Sequence, residues 1–442
     1  MKKEFIQKIK QRETLLFLGI LLLSILVRLY YICFVSVYDM QHDVGSTDRY
    51  YGHLGYISYF LQNWHLPDFD VREAFQFWHP PLHHFISAVF LKVFWTFFPS
   101  QAGNYEPLQL LTLLYITLSI VIVWQLLKLW KFEGASLFLP FLIISFHPTF
   151  IILSGSVNND ALCFLLTLLS VYLAILWYQK PTYKLIAACA VAIGLAMSSK
   201  GTAFIAAFPM AFLFLAGLVK YKNKVIGQFF LFGFLSLPLG LWWYIRNYLL
   251  FGVPFNYIYR TATDAIGYLG NVPVWKRIVD FDPRRFGFWN VYVQFEGKFM
   301  EINPITALLK SAVYAQCWFN YNVYIRIIAY PLVFIWTAFC ALSLISIPNL
   351  LKKAEEMLIP GLSIIILFIS QFISYYSFCI EYPFVWTMDI RYAISLLVCH
   401  IMWLAAFIQK HSKYEKIMTY LTYAFVIITL IVFFMFSFTT FG

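Results

Sequence analysis

The chain has 442 residues, 61% of them hydrophobic and 12% charged, with a mean hydropathy of +0.73. Soluble domains run near half apolar and a quarter charged, so this composition excludes a soluble globule and defines an integral membrane protein. A net charge of +11 raises nucleic acid as a partner, which the placement of that charge excludes.

The amino terminus, "MKKEFIQKIKQRE", is basic and runs into a long apolar stretch without a small-residue cleavage site, so it reads as a retained first span. Helices that cross the hydrocarbon core take about 17–25 residues. Eleven stretches are read as spans: Leu15–Val37, Leu108–Leu127, Ser136–Leu153, Asp160–Trp177, Leu185–Met197, Thr202–Val219, Val225–Tyr244, Ile327–Ile345, Leu358–Phe378, Tyr392–Ile408 and Ile417–Phe436. With the amino terminus in the cytoplasm, alternate loops are basic, through Lys128 and Lys131, Lys180 and Lys184, Lys220 to Lys224, Lys352 and Lys353, and Lys410 to Lys416. These loops and the amino terminus hold the whole excess of +11, the positive-inside pattern. A twelfth apolar stretch, Pro81–Phe98, would invert every later loop if it crossed, so a juxtamembrane helix at the outer surface is expected. The long outer segments are then about 38–106 and about 246–326. No soluble domain or repeat appears, and residues 1–442 are taken as one polytopic domain.

In the first outer segment, Ser46, Thr47 and Asp48 read as a helix start. Tyr50, Leu54, Ile57 and Leu61 then fall at helical spacing, predicting an amphipathic interfacial helix that ends before Pro67. Asp43 lies in the short link between the first span and this helix, beside His42. Asn158, Asn159 and Asp160 open a span at its outer end, where such residues also serve as caps. Lys200, Arg246 and Arg391 stand at outer span ends, where a charge is costly without a partner. The "SSKGT" around Lys200 lacks the order and the preceding strand of a phosphate-binding loop. The "DFD" triplets at 68–70 and 280–282 sit beside prolines and read as turns. "VDFDPRRFGFWNVYVQFEGKF" reads as an interfacial loop on the lipid, and as a candidate lid. The seven cysteines show no paired spacing and no zinc or redox motif.

Asp43 after the first span, "GHLGYISYFLQNWHLP" and "FWHPPLHHFISAVFLKVF" together resemble the GT-C superfamily of membrane glycosyltransferases. The resemblance continues through "SFHPTFIILSGSVNNDALCFLL", "GLAMSSKGTAFIAAFP", "YIRNYLLFGVP" and "MDIRYAISLL". Protein O-mannosyltransferases, the lipid A aminoarabinose transferase and bacterial glycosyltransferase family 39-like enzymes are its nearer relatives. It covers about residues 15–260 and a patch near 391. It implies an all-α, GT-C-type bundle of about eleven transmembrane helices, with juxtamembrane helices in the first extracellular loop.

The implied activity is inverting transfer of a monosaccharide from a polyprenyl phosphate to an acceptor hydroxyl, on the extracytoplasmic face of a bacterial cell membrane. The family acid matches Asp43 as general base. Many relatives have an Asp-Glu pair there; this chain has "HDVG", which makes His42 a candidate for part of that role. Glycosyl phosphates have good leaving groups, so the site needs a base and a cationic clamp rather than two carboxylates. Lys200, Arg246 and Arg391 are the clamp candidates, and His42, His79, Asn159, Asp160 and Tyr392 the substrate pocket. One phosphate can be neutralised by protein cations, so no metal or cofactor is expected to be obligatory, although a divalent ion could bind. The expected partners are the sugar donor, a lipid, glycopolymer or protein acceptor, and membrane lipids. The alternative is a transporter or lipid-sugar flippase, which needs mid-membrane charge; Arg28 is the clearest such residue.

Overall fold

The computed structural model describes residues 2–38, 43–287, 294–295, 298–314, 323–352 and 355–439. Its helices are α1 (Lys2–Phe34), α2 (Gly52–Asn63), α3 (Leu82–Phe97), α4 (Leu108–Leu129), α5 (Ala135–Ser145), α6 (Pro148–Leu153), α7 (Asp160–Gln179), α8 (Tyr183–Ser199) and α9 (Ala207–Tyr221). They continue with α10 (Ile226–Phe251), α11 (Val274–Val279), α12 (Pro304–Tyr314), α13 (Val323–Ile345), α14 (Ile347–Leu351), α15 (Leu358–Glu381), α16 (Ser395–Lys410) and α17 (Glu415–Thr439). The expected all-helical membrane bundle is present. The one addition among the described residues is a ribbon of two-residue strands, Gln294–Phe295 against Lys298–Phe299.

Each of the eleven expected spans has a helical counterpart, but among the described residues seven stretches are long and apolar enough to cross a membrane. One of these, Gly201–Phe251, holds both α9 and α10; α5, α8 and α16 are shorter. The expected Ser136–Leu153 span is two helices. His147 precedes Pro148, whose ring disfavours the helical region for the residue before it, and His147 is extended at φ −65°, ψ 130°. Arg28, fully buried in α1, fills the break. Its guanidinium donates to the carbonyls of Ser145 (2.5 Å), Phe150 (3.4 Å) and Ser24 (2.8 Å). Its charge is therefore committed to backbone oxygens. The Tyr392–Ile408 span also starts later, at Ser395, with Tyr392 in a 3-10 turn over Ile390–Ala393.

In the first long segment the helix begins at Gly52 rather than at Asp48. Ser46 and Tyr51 pair across a tight turn that needs Gly45 at φ +78°; a Cβ there would lie 1.8 Å from the Tyr51 carbonyl oxygen. Nor does α2 lie along a surface, because every residue from Gly52 to Phe60 is buried. Tyr56 stacks on Phe77 (4.1 Å) and on His84 of α3 (4.3 Å), so the segment closes a small core of its own with the end of α10 through Trp243.

The second long segment also folds inward. Residues 288–293 and 296–297 of the expected interfacial loop lie outside the described residues. Before them Phe286 is buried and Arg285 pairs with Asp280 at 2.7 Å. The "DFD" triplets are turns whose acids meet nearby arginines, Asp70 with Arg72 and Asp282 with Arg284.

Candidate functional site

Asp43 is fixed by what α2 requires. The first N–H groups of a helix lack partners within it, and here the amides of His53 and Leu54 donate to the carbonyls of Asp43 and Val44, both at 2.9 Å. Asp43 takes a left-handed conformation, φ 58°, where Asp is among the few residues tolerated. Its side chain stays 30% exposed.

Lys200 ends α8 in an extended conformation, φ −156°, just where Asp160 opens α7. The two termini are laced together, since the Asn159 side-chain amide donates to the Ser199 carbonyl (2.8 Å) and the Ser199 hydroxyl to the Asn159 carbonyl (3.4 Å). Lys200 Nζ therefore meets Asp160 Oδ1 at 2.5 Å, with both side chains under 10% exposed. Asp160 also gains from the positive end of the α7 dipole. The 3-10 turn ahead of α16 supplies Arg391. Its Nη2 bonds Asp43 Oδ2 (2.9 Å) and the Tyr392 hydroxyl (2.7 Å), and its Nη1 lies 3.8 Å from Asp160 Oδ2. The Tyr392 ring carries both cations, Lys200 Nζ at 5.2 Å and the Arg391 guanidinium carbon at 4.7 Å from its centre. Residues 348 apart in the chain thus share one ion-pair network, at the end of the bundle from which both long segments emerge.

His79, half-buried, faces the same charges. Burial first, and then Lys200, push its pKa down to about 3, so it is neutral near pH 7. It stacks on His53 at 6.0 Å. His53 hydrogen-bonds His84 (2.9 Å), and His83 Nε2 donates to the Val157 carbonyl (2.9 Å), three residues before Asp160. His42 lies outside the described residues. Arg246 has other partners: it donates to Asn247 (2.9 Å) and to the Pro67 carbonyl and packs over Trp243. It ties the first long segment to α10, and Lys200 and Arg391 are the two of the three expected cations that share the ion-pair network.

Sequence reasoning missed Asp389. It is 3% exposed, its Oδ1 accepts the Arg391 N–H at 2.7 Å, and its Oδ2 has no hydrogen-bond partner. Burial, with Asp160 adding to it against the pull of Arg391, holds its pKa up at about 6. The signal was available, an acid two residues before an arginine in "MDIRY". Asn159 Oδ1, Asp160 Oδ2 and Arg391 Nε are likewise buried without hydrogen-bond partners, and such atoms concentrate where a ligand completes the set. Among the described residues no group of three or more His, Cys, Asp or Glu is arranged to hold a metal.

This network lies at helix ends set in a membrane bundle. Residues 78–245 match the family described as dolichyl-phosphate-mannose-protein mannosyltransferase. The match likens that stretch, less than half of the chain, to a family of membrane glycosyltransferases. The structure of ArnT from Cupriavidus metallidurans in the apo state is similar at a TM-score of 0.40 and 15% identity, over 90% of this chain and 78% of that one. No curated protein matches the chain.

Proposed function

We propose that the protein moves a monosaccharide from a polyprenyl-phosphate donor to an acceptor hydroxyl, with inversion, on the extracytoplasmic face of the membrane. Asp43 takes the acceptor's proton, and the acceptor oxygen attacks the anomeric carbon. The bond to the phosphate oxygen breaks with its electron pair, leaving polyprenyl phosphate. Lys200 and Arg391 hold the donor phosphate, Arg391 through two N–H groups and Lys200 as a point charge. His79, Asn159, Asp160 and Tyr392 border the sugar, and the acceptor is a lipid, a glycopolymer or a protein.

The observation that carries this reading is the 2.9 Å pair between Arg391 and Asp43. It sets the base one contact away from the clamp. It also gives an order of events: a phosphodiester on Arg391 competes with the Asp43 carboxylate, so donor binding releases the base. Two charged donors aimed at one phosphate each contribute about 1.5–3 kcal/mol. Lys200→Ala and Arg391→Ala should each weaken binding of polyprenyl phosphate to the purified protein by about tenfold or more. Unchanged affinity in both variants sinks the clamp.

A further inference from the structure

The second long segment, about 246–326, has no role in the reading above. It nevertheless holds, at two places, the stretch 383–392 that carries Asp389, Arg391 and Tyr392. Near its start, the Leu269 N–H donates to the Pro383 carbonyl (2.6 Å) and the Val385 N–H to the Gly267 carbonyl (3.0 Å). Gly267 sits at φ +94° with Trp386 so close that a Cβ would come within 2.5 Å of its ring. Near its end, Ser311 of α12, fully buried, accepts the N–H of Ile390 at 2.9 Å. Ile390 is the residue between Asp389 and Arg391.

The rest of α12 is built to keep Ser311 still. Glu301 accepts the Asn303 N–H (3.1 Å) and the Thr306 hydroxyl (2.5 Å), closing the helix start, and then meets Lys310 at 2.5 Å. Glu301 and Lys310 are each 1% exposed. Removing one partner of a buried pair leaves an uncompensated charge, so the pair makes α12 intolerant of displacement. Thr149 of α6 grips the Ala312 carbonyl (2.6 Å) and Tyr375 of α15 the Pro304 carbonyl (2.9 Å).

We propose that the second long segment is the scaffold that aims Arg391 at the donor phosphate, with Ser311 as its positioning residue. This rests on Arg391 being part of the phosphate clamp. A hydrogen bond on the backbone next to Arg391 fixes where the guanidinium starts, and the Gly267–Trp386 contact fixes the turn that precedes it, Val385–Met388. Neither Ser311 nor Gly267 needs to touch the donor.

The test is the affinity of purified protein for polyprenyl phosphate, measured for Ser311→Ala, Arg391→Ala and the double variant, with thermal unfolding followed in parallel. Ser311→Ala should weaken binding about fivefold, the scale of one buried hydrogen bond, and the double variant should bind no worse than Arg391→Ala alone. Ser311→Cys fills the same space with a poorer acceptor and should fall between wild type and Ser311→Ala, with its unfolding temperature near wild type. Unchanged affinity in Ser311→Ala beside a weakened Arg391→Ala overturns the scaffold and leaves the clamp standing. Full additivity in the double variant also overturns it, because Ser311 then acts through something other than Arg391. If Arg391→Ala itself binds normally, clamp and scaffold fall together.

Discussion

At the scale of single residues the account turns on three carboxylates around two cations. Asp43→Asn keeps the shape of the side chain and removes both the base and the competitor for Arg391. Turnover should fall by at least about 100-fold, the scale of general base catalysis. Polyprenyl phosphate should bind about three- to fivefold tighter, the scale of a partly exposed ion pair. Weaker lipid binding by Asp43→Asn would contradict the competition. Asp389 gives a pH signature. Its folded pKa is raised to about 6, so it is neutral below that pH and Asp43 and Asp160 then balance Lys200 and Arg391. Above pH 6 it ionises and the site gains a negative charge. A donor phosphodiester keeps its single charge throughout, so donor KM should rise as pH passes upward through about 6, and Asp389→Asn should flatten that rise. A profile that Asp389→Asn leaves unaltered would assign the titration elsewhere. Asp43, Lys200 and Arg391 could be singled out in the sequence because charge at a span end stands out against apolar surroundings. Asp389 carried the same kind of signal but stood inside a motif already credited to its arginine.

At the scale of elements, the spans were legible because each is a long apolar run, which the bilayer demands of any helix that crosses it. Their interruptions were less so. The break at His147–Pro148 is local chemistry, but what makes it stable is Arg28, 117 residues from Ser145 and visible as its partner only in three dimensions. Arg28→Met should cost about 2 kcal/mol or more in unfolding, since it leaves buried carbonyls without their charged donor, while donor KM stays at the wild-type value. A raised KM with unchanged stability would return Arg28 to the polar pathway that a transporter needs. The partners of Arg246 were hidden for a related reason. Sequence gives a residue's height along a helix, whereas the neighbours around it follow from packing, and Arg246 packs toward Pro67 and Trp243. α2 looked interfacial because its apolar residues fall on one stripe; its polar ones, His53 and Ser58, are buried too, His53 against His84 of α3 and His79 in the loop before it. α12 escaped notice because it is 11 residues long and carries Lys310, whose partner Glu301 is invisible without the fold.

At the scale of the whole molecule, the basic loops predict an orientation with the network of Asp43, Asp160, Lys200 and Arg391 on the outer side. Single cysteines at the exposed positions Asp48 and Lys222, in a background without the native cysteines, should label from outside and inside respectively; the reverse pattern would put the site on the cytoplasmic face. The proposed transfer joins this topology to the network, and it can be measured directly. The protein in liposomes is offered a panel of polyprenyl-phosphate sugars together with candidate acceptors, and wild type is compared with Asp43→Asn. The account predicts that one donor is consumed by wild type, with inversion at its anomeric carbon, and that the folded, lipid-binding variant consumes none. Undiminished consumption by Asp43→Asn would contradict it.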